Sequence, residues 1–315
     1  METKPYLSLV VPIFNEEQNL PLLYEKLRAL TQYEWEAIMV NDGSRDGSLG
    51  VLRGLAHGDR RVKIIDLRKN YGQTAAMAAG FDHAHGEIVI PIDADLQNDP
   101  ADIPLLLAKL NDGFDVVSGW RKGRWQDRKM TRRLPSAAAN WLISKTTGVV
   151  LHDYGCTLKA YRQEILKDVK LYGEMHRFIP AFAAWQGARV AEVVVGDHPR
   201  KFGKTNYNFS RTLRVMLDLI TVKFIIGYAT KPMHFFGRIA FASFIMSGIS
   251  FLLAFYFKFV LHASFISTPL PLLTALFLIL GVEFLLMGLV AEMQTRNYFE
   301  TSGKRIYNIK ETMNL

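Results

Sequence analysis

A single cysteine, Cys156, in 315 residues excludes a disulfide framework within one chain and fits a reducing compartment. The opening Met1-Glu2-Thr3-Lys4-Pro5 lacks the basic-then-apolar pattern of a signal peptide, so the N-terminal part is expected to stay in the cytosol. Gly-x-Gly-x-x-Gly is missing after the first apolar run, where Pro12-Ile13-Phe14-Asn15-Glu16-Glu17 stands instead, and a dinucleotide-binding reading loses its main fingerprint. Zinc-ligand spacing, a helix-turn-helix signature and RNA-binding motifs are also missing. The formal charge of +8 is therefore read without nucleic acid: the cations cluster at Arg121–Arg133 and Arg200–Lys231, where a membrane surface or phosphate ligands explain them better. Residues 1–230 hold no long apolar run and read as an ordinary soluble domain.

What the first half does hold is short apolar runs alternating with amphipathic segments. Strands are expected at Leu7–Ile13, Trp35–Val40, Val62–Asp66, Glu87–Ile92 and Asp115–Ser118, and helices at Glu17–Leu30, Ser48–Ala56, Gly72–His83 and Pro100–Leu110. That βαβα order calls for a mostly parallel sheet covered by helices on both faces. Downstream, Phe235–Val260 and Leu270–Val290 are each long enough to cross a bilayer, which takes ~20 helical residues. Leu261–Pro269 between them carries no Lys or Arg, whereas Lys223, Lys231 and Arg238 precede the pair and Arg296, Lys304 and Arg305 follow it. The positive-inside rule then puts both ends in the cytoplasm. Arg211–Gly227 alternates basic and apolar residues at helical spacing and reads as an amphipathic helix, either at the membrane surface or packed on the soluble domain. Glu283 falls inside the second span, where pairing within the bundle or at a subunit contact is the simpler reading. The expected division is 1–208, 209–232 for the juxtamembrane segment, 233–293 for the hairpin and 294–315 for a cytosolic tail.

Chemistry concentrates after the fourth run. Ile92-Asp93-Ala94-Asp95-Leu96-Gln97 follows a buried strand and delivers two carboxylates, two residues apart, to its carboxyl end. Both can converge on one hard cation that prefers oxygen ligands. Three further clusters fall where strand ends should meet: Val11–Glu17, Val40-Asn41-Asp42-Gly43-Ser44-Arg45-Asp46-Gly47, and His152-Asp153-Tyr154-Gly155-Cys156. Cys156 reads as packing, because no histidine partner stands in a recognisable motif.

Taken in order, Val-Pro-x-x-Asn-Glu, Asn-Asp-Gly-Ser-x-Asp-Gly and Asp-Ala-Asp-Leu-Gln resemble the motifs of the family-2 inverting glycosyltransferases with a GT-A fold, over nearly the whole soluble part. With two spans behind them, they look most like the polyisoprenyl-phosphate glycosyltransferases, similar to dolichol-phosphate mannosyltransferase and the bacterial GtrB-type glucosyltransferases. The resemblance implies an α/β GT-A domain, a juxtamembrane amphipathic helix and two transmembrane helices. It further implies that Pro12, Phe14 and Glu16 line a nucleoside pocket, that Asp42 beside Val40 binds base or ribose, and that Asp93 with Ala94 meets the ribose or metal side. Asp95 and Gln97, with Asp93, are the implied ligands of Mg2+ or Mn2+. Arg121 matches the family arginine after the fifth strand, and Arg132 or Arg133 is the implied clamp on the acceptor phosphate. Asp153 falls where inverting members often place the acidic residue near the acceptor. An ionised lipid phosphate, with a second pKa of ~6, needs little help from a base, so Asp153 either removes a proton or orients cations or sugar. Arg200-Lys201-Phe202-Gly203-Lys204-Thr205-Asn206-Tyr207 resembles the family's Arg-x-x-Gly-x-Ser-Lys-Tyr segment but has Asn206 for its lysine, with Lys204 as a shifted replacement.

The function so implied is metal-dependent inverting transfer of a hexose, glucose from UDP-glucose first, to undecaprenyl phosphate or a related lipid such as dolichol phosphate. The place is the cytoplasmic face of the cell membrane, in a multi-pass protein able to form a homo-oligomer through its spans. GDP-mannose or UDP-N-acetylglucosamine, another acceptor, or a non-catalytic nucleotide-sugar-binding scaffold are the alternatives. A processive synthase would carry Gln-x-x-Arg-Trp, and the nearest string, Arg121-Lys122-Gly123-Arg124-Trp125, lacks the glutamine.

Overall fold

The computed structural model describes residues 4–123, 143–145, 147–167, 169, 171, 175–199, 232–301 and 306–315. Two compact units divide the chain: Met1–Val222 together with Arg305–Leu315, and Lys223–Lys304.

Among the described residues the first unit carries eight strands: β1 (Leu7–Ile13), β2 (Trp35–Asn41), β3 (Val62–Leu67), β4 (Ile88–Pro91), β5 (Val116–Trp120), β6 (Lys159–Arg162), β7 (Val190–Val194) and β8 (Ile309–Met313). Their order across the sheet is β7-β5-β6-β4-β1-β2-β3-β8. β6 runs against β4 and β5, and β8 against β3; every other pairing is parallel. Helices α1 (Leu20–Arg28), α2 (Ser48–Gly58), α3 (Gln73–Asp82) and α4 (Ile103–Asn111) follow the first four strands in turn. Short helices α5 (Gln163–Lys167) and α6 (Ile179–Trp185) follow β6.

Alternation along β1 decides which face each helix covers. Leu7, Leu9, Val11 and Ile13 are buried against Leu20, Leu23 and Leu27 of α1, Leu52 of α2 and Leu106 of α4. Val10 turns to the opposite face and meets α3, where a Cβ on Gly80 would lie 2.2 Å from Val10 Cγ1. Glycine lets helix and strand touch there. The chain steps from β1 to β2 to β3 on one side, then returns to place β4 on the other side of β1. Open α/β sheets bind ligands at that reversal, outside the carboxyl ends of the strands.

The sheet differs from the expectation at its edges. β6, β7 and β8 were not foreseen, and the expected tail 294–315 is divided: its first part continues a helix to Thr301, and Ile309–Met313 closes the sheet beside β3. Tyr307 Oη donates to Asp82 Oδ2 at 2.6 Å, and Asn314 Nδ2 to the carbonyls of Ala56 and Val62 at 2.8 and 3.0 Å.

The second unit is a hairpin of α7 (Pro232–Phe259) and α8 (Leu270–Thr301). Phe235–Phe259 and Leu270–Ala291, 25 and 22 residues, are long and apolar enough to cross a membrane, and most of their residues are exposed on the hairpin. An exposed apolar helix pair is not the core of a soluble protein, which buries such surfaces. Close packing at Gly281 against Phe244 and at Gly288 against Met233 and Phe236 joins the two helices. The amphipathic segment expected at Arg211–Gly227 lies outside the described residues.

Candidate active site

The ends of β1 and β2 are laced together by side chains that reach backbone. Asn15 N donates to Ser44 Oγ at 3.0 Å, Glu16 N to Ser48 Oγ at 2.9 Å, and Arg45 N to Asn15 Oδ1 at 2.8 Å. Pro12 and Glu16 are half-buried, and Phe14 is exposed at this rim. Val40 and Ala94, both expected at the donor, are buried at 0% and 2% exposure, so their side chains belong to the packed interior.

Asp42 follows β2 directly and is also buried. Its carboxylate accepts from Tyr71 N at 2.7 Å and Gly72 N at 2.9 Å. Burial raises its pKa, and the two amide donors offset only part of that rise. The fit behind it is close: Gly43 has φ +66, and a Cβ there would stand 2.6 Å from Asn70 N. Only glycine suits both the left-handed turn and the approaching backbone. Two residues beyond Tyr71, Gln73 opens α3, and its Nε2 donates to Asp93 Oδ1 at 2.9 Å. Residues 71–73 thus tie the expected nucleoside side of the cleft to its acidic side.

Asp93 is held from two directions, since Thr157 Oγ1 donates to its other oxygen at 2.7 Å. Burial and then the Asp95 charge push the Asp93 pKa up, against Thr157, Arg121 and Lys159. Asp95 is buried, and its Oδ1 accepts from Gln97 N at 3.1 Å across Leu96, a non-glycine residue at φ 62. Among the described residues no three His, Cys, Asp or Glu side chains converge as a metal cage. The residues implied as ligands, two carboxylates and the carbonyl of the Gln97 amide, would nevertheless offer a set of oxygen donors. That set fits Mg2+ or Mn2+ bound the way Mg2+ usually is, by one or two carboxylates with substrate phosphates completing the shell.

Arg121 follows β5 directly and is 4% exposed. Its Nε and Nη2 donate to Asp153 Oδ2 and Oδ1 at 2.8 and 3.2 Å, a two-point pairing. Burial alone would lower the Arg121 pKa; the Asp153 charge and hydrogen bonds, then Asp197, outweigh it, and the guanidinium stays charged. Asp153 Oδ1 also accepts from Gly155 N at 3.1 Å. Burial pushes the Cys156 thiol up, which keeps it protonated and fits a packing role.

Three participants were not read from the sequence. Gln73 and Thr157 orient Asp93. Lys159 on β6 is buried, its Nζ donating to the Cys156 and Tyr154 carbonyls, and burial lowers its pKa. A lysine inside the short run Leu158-Lys159-Ala160-Tyr161 was the one available signal. Arg132, Arg133, Arg200 and Lys204, the expected acceptor-phosphate residues, lie outside the described residues.

Residues 8–170 match the model of glycosyl transferase family 2. The chain is 42% identical over 317 residues to a dodecaprenyl-phosphate galacturonate synthase of Rhizobium johnstonii, covering 97% of this chain and 92% of that protein. It is 34% identical over 316 residues to an undecaprenyl-phosphate 4-deoxy-4-formamido-L-arabinose transferase of Shewanella sediminis, covering 98% and 92%. In fold it is similar to glucosyl-3-phosphoglycerate synthase of Mycobacterium tuberculosis, solved with Mn2+ and UDP-glucose, with a TM-score of 0.54 at 20% identity over 70% of this chain and 79% of that one. Motifs, sheet and relatives agree, and the chain belongs to glycosyl transferase family 2.

Proposed function

We propose that the protein transfers a sugar from a nucleotide-sugar donor to a polyisoprenyl phosphate at the cytoplasmic surface of the cell membrane. The observation that carries this reading is the Asp93–Asp95 turn at the sheet's reversal point, linked through residues 71–73 to Asp42 on one side and beside the Arg121–Asp153 pair on the other. The apolar hairpin supports a lipid acceptor, because it keeps the catalytic unit where a prenyl phosphate resides. That both flanking segments of the hairpin belong to one compact unit supports a topology with both of its ends on one side of the bilayer. A contact between copies along the hairpin would shield Glu283, which a single chain leaves exposed.

Galacturonate is the donor sugar we assign first, on the 42% identity across 97% of the chain. The relatives named above move galacturonate or 4-deoxy-4-formamido-L-arabinose, and glucose, expected from the sequence, drops behind both.

In the reaction, an oxygen of the lipid phosphate attacks the anomeric carbon as the bond from that carbon to the nucleotide diphosphate breaks, which inverts the configuration. Asp95 and Gln97, with Asp93, would hold Mg2+ or Mn2+, and the ion would supply Lewis-acid stabilisation of the departing diphosphate. Asp42 fixes the backbone of residues 71 and 72, which borders the nucleoside side. Arg121 keeps its charge and, with Nε and Nη2 engaged by Asp153, has Nη1 for a phosphate oxygen. Asp153 is occupied by that pairing and acts as the orienting partner of Arg121. The acceptor phosphate, with a second pKa of ~6, needs no base.

The test is transfer of labelled sugar from UDP-galacturonate, UDP-4-deoxy-4-formamido-L-arabinose and UDP-glucose to undecaprenyl phosphate, with Mn2+ or with chelator. A chelator-sensitive lipid product from UDP-galacturonate is the expected result. A product from another donor alone overturns the sugar, and no lipid product from any donor overturns the acceptor class.

A further inference from the structure

Asp153 meets Arg121 because something holds the chain before it in place. Glu192, in the middle of β7, makes three contacts to residues 152 and 153. Its Oε1 accepts from His152 N at 2.9 Å and from Asp153 N at 3.2 Å, and its Oε2 accepts from His152 Nδ1 at 2.7 Å. The Glu192 side chain is 12% exposed, so water competes little for it. The His152 ring stacks on the Trp120 indole, with centroids 4.3 Å apart and planes 18° from parallel. Trp120 is the residue before Arg121, and Val195 N donates to its carbonyl at 3.1 Å. Arg121 and Asp153 are therefore fixed by the same clamp: β7 grips the backbone of 152–153, and the imidazole between them rests on the residue adjoining Arg121.

We propose that Glu192 is a positioning residue for the transfer reaction, acting through Asp153 on Arg121 without touching either substrate. This rests on the glycosyl-transfer reading above. Glu192 serves both backbone amides with Oε1 and the His152 ring with Oε2, and β7 is registered beside β5 with Ser118 opposite Glu192, so the clamp is built into the sheet. Backbone amides at 152 and 153 left without an acceptor would let Asp153 drift from the fork. Misplacement by about 1 Å costs up to ~100-fold in rate.

The experiment compares Glu192→Ala, Glu192→Gln and Glu192→Asp in the full-length protein, reading kcat for lipid product, KM for UDP-galacturonate and Kd for UDP with Mn2+. Wild-type turnover comes first: its absence sinks the glycosyl-transfer reading and leaves UDP binding to report on the fold. Given wild-type turnover, Glu192→Ala is expected to lower kcat about 10- to 100-fold with the Kd for UDP within about twofold of wild type. Glu192→Gln, which keeps an oxygen for the two amides, is expected to recover most of the rate. If the alanine variant does not fold, Glu192→Asp carries the same expectation, because it keeps the charge but draws the carboxylate back by one methylene. In an Asp153→Asn background Glu192→Ala should cost nothing more, as expected for residues acting as one unit. An unchanged kcat, a loss spread equally into UDP affinity, or additive losses in the double variant would overturn the proposal.

Discussion

Two carboxylates separated by one residue receive different treatment. Asp93 has both oxygens taken by Gln73 and Thr157, whereas Asp95 is turned by Gln97 N across a left-handed Leu96. Asp95 is the carboxylate we propose as the principal ligand of the cation, on its place in the Asp-Ala-Asp-Leu-Gln motif. Asp95→Asn should lower metal-dependent transfer by about 10²- to 10³-fold while leaving the melting temperature close to wild type. Assays across a Mn2+ titration check this, and an undiminished rate would remove Asp95 from the metal site. Away from the cleft, Glu36 answers to pH. Burial raises its pKa, but hydrogen bonds from Lys63, Ser8 and His85 N prevail and hold it below the usual 4.5. Because the folded value is the lower one, Glu36 contributes its full stabilisation above about pH 4.5 and loses it as pH falls through the folded pKa. Melting temperature measured from pH 6 down to about pH 3 should fall in the wild type and fall less steeply in Glu36→Gln.

At the level of elements, β8 holds the edge beside β3 with few apolar contacts and several polar ones. Removing residues 306–315 deletes the bonds of Tyr307 to Asp82 and of Asn314 to Ala56 and Val62. At roughly 1 kcal/mol each, these three bonds alone contribute about 3 kcal/mol, and with the β3–β8 ladder and the buried Tyr307 also lost the melting temperature should fall by at least ~6–12 °C. The exposed Arg53–Glu311 pair at 2.6 Å adds little. Thermal unfolding of the truncated chain decides it, and an unshifted transition would make β8 incidental. The same polarity explains why this strand was illegible. β1 to β4 announce themselves through Val and Ile runs because they are buried on both faces. β8, Ile-Lys-Glu-Thr-Met, is an edge strand whose charges face solvent, and β7 is interrupted by Glu192, the residue that reaches 152–153. β6 is four residues with a cation at each end, one of them the buried Lys159. Asp42, Asp93, Asp95, Arg121 and Asp153 could be named from motifs at strand ends. Gln73, Thr157 and Glu192 could not, because they act across 20, 64 and 39 or 40 residues of chain, a distance periodicity does not report.

For the whole molecule, anchoring is separable from chemistry. Cutting the chain after Tyr228 would also discard β8, so it mixes loss of the anchor with damage to the sheet. Replacing residues 233–301 by a flexible soluble linker keeps β8 in the chain. Such a variant should leave the membrane fraction and transfer poorly to undecaprenyl phosphate in vesicles, while still transferring to a short, water-soluble prenyl phosphate. Full activity on the vesicle-borne lipid would show that the hairpin does not deliver the acceptor.

The closing strand also sets an order of events in biosynthesis. The ribosome makes β1 to β7 first, then the 82 residues of Lys223–Lys304, and only then the segment that covers β3. At ~5–20 residues per second, the nascent catalytic unit waits on the order of ten seconds with that edge bare. The sheet can be finished only when the hairpin has been made and Ile309–Met313 has left the ribosome. A chain that stalls before β8 therefore carries an open β edge, an unpaired row of backbone groups that invites pairing with another chain.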